Sequence, residues 1–69
     1  MRAFKTIYGY VLENGIIIKG VQPHSCDYWM VKYGDAILEY FNTENESINY
    51  MKQFVENNFE LVEERYSEW

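Results

Sequence analysis

The stretch FKTIYGYVLENGIIIKGV, residues 4–21, decides the fold, because it holds two β-rich runs on either side of Asn14-Gly15. Asn-Gly is the pair best suited to a two-residue type I′ turn, in which both central residues take positive φ. The stretch therefore predicts a β-hairpin that turns at Asn14 and Gly15.

The predicted register of this hairpin places Leu12 opposite Ile17, and Gly9 opposite Gly20. Two glycines that face each other leave a gap on one side of the ribbon, where another element can approach the backbone. A bend or bulge that coils the ribbon is the alternative reading of the same two glycines.

A second hairpin follows in DYWMVKYGDAILEYF, residues 27–41, with its turn at Gly34-Asp35. Pro23 separates the two hairpins, because proline cannot donate a hydrogen bond to a sheet. The face predicted to line the core pairs Val31 with Leu38 and Trp29 with Tyr40.

A helix is predicted after the second hairpin. Thr43 and Glu46 fit a capping box, in which the two residues satisfy each other's free backbone amides. Asn57-Asn58 is a credible C-cap, because Asn tolerates the left-handed conformation. The apolar stripe expected to pack on a sheet consists of Ile48, Met51, Phe54, Val55 and Phe59.

The final segment FELVEERY, residues 59–66, alternates apolar and charged side chains and is predicted to be a fifth strand. The predicted order is ββββαβ, a single small α+β domain over residues 1–69. It comprises an antiparallel sheet of two hairpins plus a C-terminal strand, with one helix packed across it. Large rings are expected to supply much of the core, since 19% of the residues are aromatic.

The composition indicates a reducing compartment. Cys26 is the only cysteine, so no internal disulfide can form, and we expect a cytoplasmic location. No apolar run approaches the length of about 18 residues that a membrane span needs. The abundance of Asn, Ile, Lys, Tyr, Phe and Glu is typical of AT-rich coding, which hints at a low-GC bacterium or its phage.

The charge is distributed unevenly along the chain, whose net charge is −5. Residues 1–32 carry four cationic and two acidic side chains, a net of +2, whereas residues 33–69 carry two and nine, a net of −7. The acidic half would repel phosphates, so the sequence disfavours direct nucleic-acid binding.

Catalytic and metal-binding signals are weak, so the sequence predicts a protein that is not an enzyme and needs no metal or cofactor. His24 and Cys26 lie two residues apart in a loop, and a zinc site would need two further ligands of that kind. The acidic cluster in NTENES, residues 42–47, lacks the spacing of a calcium loop and is better explained by helix capping.

Seven tyrosines and two tryptophans are too many for the core of so small a domain, so some must be exposed. Because Tyr and Trp are enriched at contact hot spots, the sequence predicts a protein-binding module, such as an inhibitor or adaptor. Its acidic-aromatic surface could mimic nucleic acid in a partner's basic groove. The residues predicted to bind this partner are Glu60, Glu63, Glu64, Tyr66, Glu68 and Trp69. The alternative is a structural homo-oligomer, most simply a homodimer, that buries its aromatic edge and has no separate ligand.

Overall fold

A computed structural model describes residues 1–62 of the chain. It contains six strands and one helix: β1 (Arg2–Lys5), β2 (Gly9–Leu12), β3 (Ile17–Val21), β4 (Trp29–Tyr33), β5 (Ala36–Phe41), α1 (Glu44–Asn58) and β6 (Glu60–Val62). The remainder of the predicted last strand, residues 63–66, lies outside the described residues.

The six strands form one sheet in the order β5-β4-β3-β2-β1-β6, and α1 packs across one of its faces. The α+β class is confirmed, with strands, then the helix, then a last strand. Two details differ from the prediction. Five strands precede the helix, and β6 pairs with β1 in parallel, so the sheet is mixed. β6 lies beside β1 because α1 carries the chain from the β5 edge across to the β1 edge, and it runs parallel to β1 because β5 and β1 already point the same way.

The fifth strand before the helix arises because the run before Asn14 folds back on itself at residues 6–9. The Thr6 amide donates to the Gly9 carbonyl oxygen at 2.9 Å, and the Gly9 amide donates to the Thr6 hydroxyl at 3.1 Å. A buried threonine therefore closes this tight turn with its side chain. The surrounding sequence contains no Asn-Gly or Pro signal that would have marked it.

The β2–β3 hairpin turns where predicted, but with different geometry. Gly15 has φ +93°, whereas Asn14 is not among the positive-φ residues, so the type I′ assignment is wrong. Leu12 and Gly15 are joined by a backbone hydrogen bond of 2.8 Å, and the Leu12 amide also donates to Ile16. This is a three-residue loop with a glycine bulge.

The extra loop residue shifts the predicted β2–β3 register by one. Gly9 pairs with Lys19, and Gly20 pairs with Val31 of β4, so the two glycines do not face each other. Gly20 nevertheless serves as a point of close approach, because a side chain there would meet Ser47 of α1.

The β4–β5 hairpin has the predicted two-residue turn, in which Gly34 takes φ +60°. A bulge between Val31 and Lys32 then shifts the register by one residue. The predicted Val31–Leu38 and Trp29–Tyr40 pairs are therefore wrong, and Tyr40 lies on the opposite face from the core with 55% of its surface exposed. The pairs formed are Val31 with Glu39, Met30 with Tyr40 and Trp29 with Phe41.

α1 begins at the predicted N-cap, but the capping box differs from the prediction, because the Glu46 carboxylate bonds the Thr43 hydroxyl rather than the Thr43 backbone amide. Thr43 is the N-cap, and its hydroxyl accepts the Glu46 amide at 3.3 Å while donating to the Glu46 carboxylate at 3.0 Å. The predicted C-cap is wrong, because the cap is Phe59 in extended conformation, and the Asn58 side chain donates back to the Phe54 carbonyl.

The core lies between α1 and the sheet. Its buried side chains are Ala3, Tyr10, Leu12, Ile18, Val31, Met51 and Val55. Around them pack half-buried rings, including Tyr33, Phe54 and Phe59, whose centroids lie 6.0–6.4 Å apart. The prediction that large rings supply much of the core is therefore wrong for its buried centre, where Tyr10 is the one ring among these seven side chains, and the other rings pack around that centre. Ile48 was predicted for the buried stripe but is 46% exposed, and Ser47 is buried instead.

Candidate functional site

The side of the sheet away from α1 is not covered by any element of residues 1–62, and we call it the open face. Its central side chains follow from strand alternation in β3. Ile18 is fully buried in the core and Gly20 abuts the helix, so Lys19 between them points to the open face. Val31 is likewise fully buried, which places Met30 and Lys32 on the open face of β4.

Cross-strand pairing arranges the open face in three rows. The first row is Val62, Phe4, Val11 and Ile17, the second is Gly9, Lys19, Lys32 and Ile37, and the third is Val21, Met30 and Tyr40. Two lysines thus lie side by side between two apolar rows. Val11 is buried although it faces away from the core, so the first row already forms a packed patch of its own.

A depression of about 440 Å³ opens on this face between β3 and the β1–β2 turn. Its walls include Ile7, Tyr8, Ile17 and Val21, and Lys19 lies at its edge. Gly9, the β2 residue paired with Lys19, leaves no room for a side chain, because a Cβ atom there would meet the Ile18 carbonyl oxygen of β3. The volume falls in the range of about 300–1,000 Å³ that is typical of ligand pockets.

The β1–β2 turn beside this depression carries two of the most exposed apolar side chains, Tyr8 at 78% and Ile7 at 62%. The same turn also borders a second cleft of about 280 Å³ on the helix side, where Ile48 and Glu44 contribute. Single exposed apolar residues are ordinary, but here Ile7 and Tyr8 adjoin the apolar rows of the open face.

Lys19 and Lys32 are direct cross-strand partners, and among the described residues no carboxylate forms a salt bridge with either of them. Like charges directly opposite each other in an antiparallel pair are destabilising. No ion pair within residues 1–62 offsets this repulsion.

Tyr40 extends the open face towards the β3–β4 loop. Its ring lies 5.6 Å from that of Tyr28 in an edge-to-face arrangement. The pKa of the Tyr28 phenol is raised, chiefly by a side-chain hydrogen bond to Cys26. The protonated, uncharged form of Tyr28 is therefore favoured at this end of the face. Exposed Tyr8, Tyr28 and Tyr40 confirm that the rings exceed what the core holds.

Three of the eight acidic side chains of residues 1–62 lie on α1. Glu44, Glu46 and Glu56 are exposed on α1. Burial, and secondarily the negative charge of Glu56, raises the pKa of the buried Tyr10 phenol. These three carboxylates lie on the opposite side of the sheet from Lys19 and Lys32, which are at the centre of the open face.

Of the residues predicted to bind a partner, Glu60 is exposed in β6 beside Arg2, at the edge of the sheet. The other five, Glu63, Glu64, Tyr66, Glu68 and Trp69, lie outside the described residues. The acidic-aromatic face therefore stays a prediction. The prediction omitted Lys19 and Lys32, although alternation in IIIKGV and WMVKY carried a signal for their common face.

His24 and Cys26 lie in the β3–β4 loop, where Cys26 is a half-buried free thiol. Within the part of the chain that the structure describes, no three His, Cys, Asp or Glu side chains are grouped as metal ligands would be. In the same residues no helix has both the length and the apolarity to span a membrane. Comparison of the chain with protein-family models, curated proteins and solved structures finds no match.

Proposed function

We propose that this protein is a small protein-binding module that contacts its partner through the open face of the sheet. The observation that carries the proposal is the apolar depression beside Lys19, walled by Ile7, Tyr8 and Val21. Apolar patches that adjoin a concave site are typical of interaction surfaces. A role as an inhibitor or adaptor would follow if the bound partner is an enzyme or a scaffold.

The alternative is self-association, in which a second copy of the chain covers the open face. A two-fold dimer centred on this face would bring the lysine pair of one copy towards the pair of the other, which like-charge repulsion opposes. A separate protein partner is therefore favoured. Sedimentation at high micromolar concentration tests this point, since a dimer whose interface includes the open face would overturn the choice of partner.

The experiment that tests the function is selection of peptides from a random displayed library on the immobilised protein, followed by mapping of their binding sites by NMR. The proposal expects the selected peptides to shift the amide signals of Lys19, Val21 and Met30. A Val21→Asp variant should lose the peptides, whereas an Asn49→Asp variant on exposed α1 is the matched control and should keep them. Selected peptides that shift only signals of α1, or no enrichment at all, would contradict the proposal.

A further inference from the structure

We infer that the partner segment is an extended acidic peptide with two carboxylates two residues apart and an apolar side chain two residues beyond one of them, in either chain direction. This inference rests on the proposed function and adds the chemistry of the partner. The Lys19–Lys32 pair binds the carboxylates, and the depression beside Lys19 takes the apolar side chain.

The spacing follows from strand geometry. Directly opposed side chains in an antiparallel pair start about 4.5–5.5 Å apart at their Cβ atoms. In an extended peptide, residues at positions i and i+2 point to the same side and lie about 6.6 Å apart. Lysine side chains are long enough to close that difference, so both carboxylates can reach an ammonium group at once. A peptide running across β3 and β4 meets Lys19 and Lys32 in this way.

The apolar position follows from the location of the depression. Ile17 and Val21 are the β3 neighbours of Lys19 on the same face, and both line the depression together with Tyr8 of the turn. An apolar side chain two residues from the acid that contacts Lys19, on the side away from the other acid, lies about 6.6 Å from it and faces the sheet. It enters the depression while that carboxylate contacts Lys19.

Charge favours a peptide over a nucleic acid as the occupant. A peptide acid neutralises the two lysines, and relieves the repulsion between them, without bringing a long polyanion to a chain of net charge −5. The apolar rows on both sides of the lysines also match aliphatic side chains better than they match phosphates. A single-stranded oligonucleotide that binds more tightly than the acidic peptide would instead favour nucleic acid as the partner.

The test uses two synthetic fluorescein-labelled peptides, one containing Leu-Thr-Glu-Thr-Glu and one containing the reverse order Glu-Thr-Glu-Thr-Leu, each titrated with the full chain and followed by fluorescence anisotropy. Lys19→Gln and Lys32→Gln should each weaken binding by up to about five-fold, the range for exposed ion pairs. Lys52→Gln is the matched control, because Lys52 is an exposed lysine on α1 whose replacement changes the net charge equally. A Leu-Thr-Gln-Thr-Gln peptide should bind more weakly than the acidic one.

Each contrary result has a defined meaning. Equal losses in the Lys52→Gln and Lys19→Gln variants would show general charge attraction and overturn the inference. Tighter binding of a short oligothymidylate than of the acidic peptide would overturn it in favour of nucleic acid. Library peptides could shift open-face signals yet carry no paired acids and bind the Lys19→Gln variant as well as the parent protein. In that case the protein-binding function stands and this inference fails. If no peptide reaches the open face, both fail.

Discussion

Gly20 in β3 lies directly beneath Ser47 in α1. A Cβ atom on Gly20 would be 3.2 Å from the Ser47 Oγ and 3.3 Å from the Met51 Cε. The Ser47 hydroxyl donates to the Glu44 carbonyl oxygen at 2.6 Å, which fixes the Oγ above the strand. The absence of a side chain at Gly20 therefore sets how closely the helix approaches the sheet.

Gly20→Val should lower the free energy of unfolding by about 1–3 kcal/mol, because overpacking forces the helix away from β3. Urea denaturation followed by circular dichroism measures the change. When Gly20→Val is made together with Ser47→Ala, the free energy of unfolding should fall by less than the sum of the two single effects, since the closest clash has been removed. Strict additivity would show that the helix does not press on this position.

Gly15→Val should destabilise the protein by about 1 kcal/mol or more, because a β-branched residue fits poorly at φ +93°. Asn14 has no positive φ, so Asn14→Val is the matched control and should cost less. Its cost is the loss of the 3.1 Å hydrogen bond that the Ile16 amide donates to the Asn14 side chain. Equal costs for the two variants, measured by thermal unfolding, would point back to the type I′ turn.

Thr43→Ala should lower the free energy of unfolding by about 0.5–2 kcal/mol, because the Glu46 amide loses its acceptor at the start of α1. Thr43→Ser retains the hydroxyl and should stay close to the parent protein. Chemical denaturation of the three proteins side by side provides the measurement. A Thr43→Ser variant as unstable as Thr43→Ala would show that the methyl group, rather than the cap, matters.

The Glu13 carboxylate accepts hydrogen bonds from the Arg2 amide at 3.1 Å and from the Arg2 guanidinium at 3.4 Å. The amide is the larger cause that lowers the pKa of Glu13 below its usual 4.5. Because the pKa of Glu13 is lower in the folded protein than in the unfolded chain, Glu13 contributes its full stabilisation at pH values above the usual pKa. This contribution is lost as the pH falls through the pKa of the folded protein.

Glu13→Gln should therefore flatten the loss of stability below about pH 4.5, as measured by acid titration of the folded fraction. Arg2→Gln should keep part of the pKa lowering, because the backbone amide remains. NMR titration of the Glu13 carboxyl signal distinguishes the two contributions. A full return of the pKa to its usual value in Arg2→Gln would mean that the guanidinium dominates.

Some local features of the fold could be predicted from the sequence, such as the N-cap of α1, whereas other local features and those set by distant parts could not. The Thr43–Glu46 cap involves residues three apart, so its signal lies within a few letters. The bulge beside Val31 moves Tyr40 to the open face, and no turn residue marks it. The strand break at Thr6 depends on a side-chain hydrogen bond that composition does not reveal.

The candidate site depends on pairing between two hairpins. Lys19 and Lys32 belong to different hairpins, and their contact is set by the β3–β4 register rather than by either turn. Strand alternation alone predicts that each lysine points away from the core, but it does not predict that the two lysines pair across β3 and β4. The exposed tyrosines, by contrast, could be predicted from the sequence. The chain has more aromatic rings than the core of a 69-residue domain can hold, so some of them must be exposed.

The pairing of β6 with β1 has a consequence for synthesis on the ribosome. Strands β1 to β5 pair with their sequence neighbours, so they can form in the order in which they emerge. The outer edge of β1 stays unpaired until residues 60–62 have been synthesised. The Glu60 amide then donates to the Met1 carbonyl oxygen at 3.0 Å. A nascent chain stalled before residue 60 therefore presents an unprotected strand edge, the kind of surface that chaperones shield and that seeds aggregation.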